Sequence, residues 1–201
     1  MAITAGALAL GLVAEMPTGP GVIDDDLIRE IADWCPPGVA TFLLTSRTDA
    51  EAIIEHVLYC RTNTVQLVDA VTPAAHKKIK QALPDIKLVQ VIHVQGSSSL
   101  EEIANYEKSA DAFLLDSGNP GLKIKELGGT GRVHNWDISR EIVKTTRKPV
   151  YLAGGLNAAN VSSAIRQVNP FGLDICSGVR TNGKLDEHKL DRFIHAAKTL
   201  D

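Results

Sequence analysis

A chain of 201 residues with 44% hydrophobic and 22% charged residues has the composition of an ordinary globular protein, long enough to bury a substantial core. Its net charge of -3 lacks the basic footprint of a nucleic-acid binder or of a protein held on an anionic membrane surface. Three cysteines, Cys35, Cys60 and Cys176, are too few and too scattered for a disulfide framework or a zinc site, and they read as reduced thiols of a cytoplasmic protein. No apolar run approaches the ~20 residues that span a bilayer. The apolar start MAITAGALALGLV lacks the basic region of a secretory signal.

In chain order, short apolar runs alternate with helical patterns. The runs are LALGLV (8–13), VATFLL (39–44), TVQLV (64–68), IKLVQVIHV (86–94), AFLLD (112–116), PVYLAG (149–154) and LDICSG (173–178). Most lack polar alternation, as strands buried on both faces of a parallel sheet do. Before the first run, MAITAGA looks like the tail of a helix. Between the first two runs, Leu27, Ile28, Ile31 and Trp34 share a helical face, and Asp24 to Asp26 favour the helix start. Ile53, Ile54, Val57 and Leu58 repeat that spacing behind a cap at Thr48 or Asp49. A later helix after Asn157 carries Val161, Ala164, Ile165 and Val168, and a last one from about Asp186 carries Leu190, Phe193, Ile194 and Ala197.

Seven successive β-then-α units over residues 1–201, without a linker, predict one α/β domain. Glycine turns follow the fifth, sixth and seventh runs, where the late loops of a β/α barrel converge on a phosphate. No GxGxxG follows the first run, where a Rossmann sheet would carry it. The expected fold is therefore a (β/α)8-type TIM barrel, with seven strands visible and the first βα unit largely missing.

Chemistry concentrates in the late turns. GGTG (128–131), AGGLN (153–157) and CSGVR (176–180) put small residues at strand ends, where backbone N–H groups approach an anion closely. A glycine after a strand is also common in any tight βα turn. Three in succession favour phosphate binding. Asp116 ends the fifth run; an acid there often only caps the next loop, yet this is also where a barrel places a general acid or base. His93 reads as a satisfied core histidine and Cys176 as a small core residue. Asp69 and Arg47 fit the barrel mouth and the open surface equally well.

Taken together, LLDS…GGTGRVHNW, PVYLAGGLNAANV and PFGLDICSGVRTNGKLD resemble the phosphoribosylanthranilate isomerase family, from about Leu8 to the C-terminus. The resemblance implies a cofactor-free barrel without metal. It also implies an Amadori rearrangement of N-(5'-phosphoribosyl)anthranilate to 1-(2-carboxyphenylamino)-1-deoxyribulose 5-phosphate in tryptophan biosynthesis. On that resemblance Asp116 is the general acid that protonates the ribose ring oxygen. Gly129 and Thr130 belong to the phosphate-side loop, and the turns of Gly154 and Gly155 and of Ser177 and Gly178 hold the phosphate of a phosphosugar substrate. The assembly implied is a monomer or homodimer.

Two family features are not found. The KICG-like first strand, whose cysteine is the general base, has no counterpart, and MPTGPGVIDDD lacks the arginine that binds the anthranilate carboxylate. A reading frame that begins one strand late is the favoured account. The alternative is a non-catalytic phosphosugar-binding barrel derived from the family. If the chain as given turns over, Cys176 is the first candidate to take the C2' proton, and Arg180 stands beside it in the same turn.

Overall fold

The computed structural model describes every residue except 120, 123, 126, 128–130, 200 and 201. The elements run α1 (Ala2–Ala5), β1 (Ala9–Val13), α2 (Asp25–Trp34), β2 (Ala40–Thr45), α3 (Ala50–Cys60), β3 (Thr64–Leu67), α4 (Pro73–Ala82), β4 (Lys87–His93) and α5 (Ser98–Tyr106). They continue with β5 (Ala112–Asp116), α6 (Trp136–Thr145), β6 (Val150–Leu152), α7 (Val161–Val168), β7 (Gly172–Leu173), a 3-10 turn (Ser177–Val179), β8 (Arg180–Thr181), β9 (Lys184–Leu185) and α8 (Glu187–Lys198).

Seven strands form one parallel sheet in sequence order, β1 to β7, each paired with the next. Sequential order with a helix after almost every strand is the winding of a β/α barrel, as the glycine turns suggested. Among the described residues β1 and β7 are the two outer edges and do not pair with each other.

Strand side chains alternate between two apolar clusters. Leu43, Val65, Leu67, Leu88, Ile92, Phe113, Leu115, Val150 and Leu152 face the helices. Phe42, Val68, Val89, Val91, Ala112 and Leu114 face inward, with Leu44 and Tyr151 beside them. Both faces are covered, which is why the runs show no polar alternation. Gly172 leaves room for the Tyr151 ring, since a Cβ there would lie 2.7 Å from it. That ring stands edge-on to both Phe42 and Phe171.

Helix starts follow side-chain capping: Asp24, Asp49, Thr72, Asn135 and Asp186 each accept a backbone N–H of the first turn. Three local expectations are corrected. Trp34 lies 72% exposed and Leu58 60% exposed, because Ile28, Ile53 and Val57 already fill the contact with the sheet. The run LDICSG is not a strand throughout; pairing ends at Leu173, and Ser177–Val179 turns as a 3-10 helix. A two-stranded hairpin, β8 with β9, follows it, and the sequence reading did not anticipate it.

The α2–α3 contact is polar at its centre. Buried His56 faces the Thr45 hydroxyl through Nδ1 at 3.2 Å and Asp25 Oδ1 through Nε2 at 2.9 Å. Removing the imidazole leaves the buried Thr45 hydroxyl and a helix-start carboxylate without it. His56→Ala is predicted to cost about 1–3 kcal/mol, read as a lower denaturant midpoint with an unchanged slope.

Candidate functional site

The carboxyl ends of β5, β6 and β7 lie side by side. The Ala153 N–H donates to the Leu115 carbonyl, and the Asp174 N–H donates to the Leu152 carbonyl at 2.9 Å. Beyond those bonds the Gly131–Arg132 segment meets the Gly155 turn and the Leu156 carbonyl meets Gly178, backbone against backbone. A Cβ at Gly155 would lie 2.6 Å from the Arg132 carbonyl carbon and oxygen; one at Gly178 would lie 2.0 Å from the Leu156 carbonyl oxygen. Gly154 and Gly155 also take left-handed φ values of 78° and 64°, which glycine adopts without strain. Gly154 fits a nook between His134 Nδ1, Asp116 Oδ1 and the Ser117 side chain, at 3.0–3.1 Å from its absent Cβ. The Asn157 and Asn160 side-chain amides both donate to the Gly155 carbonyl, fixing the turn before α7.

The sequence-derived residues mostly converge. Asp116, Gly154, Gly155, Cys176 and Ser177 line one cavity, together with Gly131 and Asp174. Gly178 lies directly behind it, against Leu156. Gly129 and Thr130 lie outside the described residues. Arg180 belongs to an adjoining cavity that shares Asp116, Asp174 and Cys176. Cys176 is not a core residue: it is half-buried on the cavity wall, since β7 ends before it. The larger cleft, about 700 Å³ beside Glu15, Arg47, His56 and Tyr59, contains none of the glycine turns.

Asp116 is buried, and burial raises its pKa against the opposing effects of the Ser117 amide (2.7 Å) and His93. His93 pairs with Asp116 in register. Its Nε2 lies 2.9 Å from the Val68 carbonyl, while its buried Nδ1 has no hydrogen-bond partner among the described residues; it is only half the satisfied histidine expected. Asp69 sits buried at the mouth, 2.5 Å from Lys125 Nζ, and the Lys125 carbonyl accepts the Thr18 hydroxyl at 2.7 Å. These bonds tie the β5–α6 loop across the mouth, with Leu127 buried inside.

Two groups were missed. Burial and the charge of Asp116 push Asp174 up to about 6. An acid inside an apolar run at a strand end was the available signal. His134, held down to about 4 by burial, is neutral at physiological pH; its Nε2 faces Ser139 Oγ at 2.7 Å. Paired carboxyls in a closed space differ in proton affinity, and such pairs perform acid–base chemistry. Touching glycine turns beside such a pair are a feature from which anion seats can be built.

The matches to known proteins point the same way. Residues 45–196 match the family model for N-(5'phosphoribosyl)anthranilate (PRA) isomerase. An N-(5'-phosphoribosyl)anthranilate isomerase 2 from Methanosarcina mazei is 40% identical over 98% of this chain and 88% of its own length. The enzyme of that name from Methanocella arvoryzae is 35% identical over 96% and 89%. The crystal structure of phosphoribosyl anthranilate isomerase from Thermotoga maritima superposes with TM-score 0.83 at 30% identity, over 98% of this chain and 91% of that one. A phosphoribosyl anthranilate isomerase in complex with reduced 1-(o-carboxyphenylamino)-1-deoxyribulose 5-phosphate superposes with TM-score 0.80 at 28% identity, over 98% and 90%.

Two outcomes follow from the geometry. Gly178→Ala must displace the Leu156 carbonyl, so it is predicted to lower the thermal midpoint and to weaken binding of inorganic phosphate in calorimetry. Equal values for parent and variant would separate the two turns. The second outcome concerns Asp174. Its folded pKa lies above the ordinary ~3.9, so the folded protein holds more protons than the unfolded chain between about pH 4 and the folded value of about 6. Stability therefore falls as pH rises through that window. Asp174→Asn should flatten this slope and unfold at a higher temperature than the parent above pH 6.

Proposed function

The chain belongs to the phosphoribosylanthranilate isomerase family, and we propose that it converts N-(5'-phosphoribosyl)anthranilate to 1-(2-carboxyphenylamino)-1-deoxyribulose 5-phosphate, a step of tryptophan biosynthesis. The observation that carries the reading is the placement of buried Asp116 in one cavity with the touching glycine turns.

The substrate phosphate sits against the backbone of Gly154, Gly155, Ser177 and Gly178, with Gly129 and Thr130 assigned to the same seat by the family pattern. Glycine is needed twice over: backbone N–H groups reach the anion, and no Cβ fits between the turns. With the phosphate held at one end, the ribose lies over Asp116. Asp116 is the general acid. Its carboxyl, protonated more readily than an exposed one because it is buried, gives its proton to the ring oxygen. The C1'–O bond breaks, and the anthranilate nitrogen lone pair forms the C1'=N bond of a protonated Schiff base. Loss of the C2' proton then gives the enolamine, which tautomerises to the 2-ketone.

A base must take that C2' proton. Asp174 and Cys176 share the cavity wall with Asp116, and Asp174, with a pKa of about 6, is ionised at neutral pH. Cys176 remains the thiol to test beside it. The chemistry proposed for these side chains is proton transfer, which they can supply without a cofactor.

The deciding measurement is the fluorescence-monitored conversion of N-(5'-phosphoribosyl)anthranilate by the parent chain and by Asp116→Asn. An amide of similar shape cannot donate the proton, and a general acid contributes about 10²–10⁴-fold. The variant should lose kcat/KM by that order while keeping its affinity for inorganic phosphate. Unchanged kcat/KM would remove Asp116 from the mechanism. Phosphate binding by a parent that shows no turnover would support the non-catalytic phosphosugar-binding alternative.

A further inference from the structure

Beside the acid pair, a second cavity of about 140 Å³ opens under the loop that follows β1. Its wall mixes the apolar side chains of Val13, Met16, Leu44, Val68, Val91 and Leu127 with the polar groups of Thr18, Gln66 and Cys176. The volume is on the order of the ~150 Å³ that accommodates a benzene ring. Asp116 and Asp174 close one side of it, and Arg180 stands on its rim as the one cationic side chain of the lining among the described residues.

Arg180 is positioned by its own hairpin. Its Nη1 donates to the Gly183 carbonyl at 2.8 Å, and its carbonyl accepts Lys189 Nζ at 2.8 Å. The rest of the guanidinium reaches across to the loop after β1: Nη2 lies 3.3 Å from where a Cβ of Gly21 would stand. Gly21, at φ 83°, both makes the left-handed turn and leaves the space that the guanidinium approaches. A cation is thus held between the last hairpin and the first loop, in the wall of a cavity that combines apolar and polar side chains and also carries two acids.

We propose that Arg180 is the specificity-determining residue that pairs with the carboxylate of the substrate's aryl group, the ring itself filling the 140 Å³ cavity. The inference rests on the isomerase reading, which supplies an ortho-carboxylated ring on the amine of the sugar. A planar guanidinium meets a carboxylate through parallel N–H donors, which a lysine cannot reproduce. The segment MPTGPGVIDDD after the first visible strand carries no arginine, and the guanidinium that approaches this loop at Gly21 is that of Arg180.

The test is calorimetry with two ligands: reduced 1-(2-carboxyphenylamino)-1-deoxyribulose 5-phosphate and its phenylamino counterpart lacking the carboxylate. The parent should prefer the first. Arg180→Gln should weaken the carboxylated ligand by roughly ten- to a hundredfold and leave the other unchanged, erasing the preference. Arg180→Lys should fall between parent and Gln variant. Equal weakening of both ligands would make Arg180 a support for the hairpin alone and overturn the inference, as would no weakening of either. A parent that binds neither ligand would refute the isomerase reading itself, and the inference with it.

Discussion

Backbone contact among three glycine turns is the constraint on which the site depends. The Gly131–Arg132 segment lies against Gly155, and the Leu156 carbonyl lies against Gly178. At 2.6 and 2.0 Å these are distances that no Cβ tolerates, so the turns can close on one another only as glycine. The same segments line one cavity, in which Gly131, Gly154 and Gly155 stand beside Asp116, Asp174, Cys176 and Ser177. Main-chain donors held by packing do not reorganise when an anion arrives, which is the basis of preorganised electrostatic binding.

That closure decides the acid–base chemistry as well. Gly154 packs within contact of Asp116 and His134, so the same turn helps to withdraw the acid from water. Burial is the largest influence raising both Asp116 and Asp174, and the charge of Asp116 adds to it at Asp174. A carboxyl enclosed in this way holds its proton to higher pH. His134, beside the same glycine, is pushed the other way by the same burial and contributes no cation of its own.

Much of this was legible in the sequence, and what was not has identifiable causes. Continuous apolar runs revealed a sheet covered on both faces because the two clusters around β2 to β6 leave no solvent-facing row. The glycines were legible because their spacing at strand ends has few other uses when repeated three times. Run length, by contrast, misled at LDICSG: Ile175 is half-buried and apolar, but the chain has already left the sheet at Leu173. The acid pair could not be read because Asp116 and Asp174 are 58 residues apart, and only the winding of the sheet brings them together. Trp34 looked like core by helical spacing, yet Ile28 fills the contact; periodicity names a face and not its depth.

Arg180 lies between the two ends of the sheet. Strands β1 and β7 are not hydrogen-bonded to each other among the described residues, so the ladder does not fix their spacing. Arg180 spans part of that interval from the hairpin side, its guanidinium against Gly21, while Thr18 and Lys125 join the first loop to the strap over the mouth. These are side-chain contacts at exposed or half-buried positions, individually weak. The late turns are held instead by main-chain packing with no room to shift. One side of the site is thus bounded by close-packed main chain, where the proposed reading places the phosphate and the reacting carbons. The other is bounded by side chains, where the proposed reading places the aryl group, whose position must accommodate a nitrogen that changes from amine to iminium and back during the rearrangement.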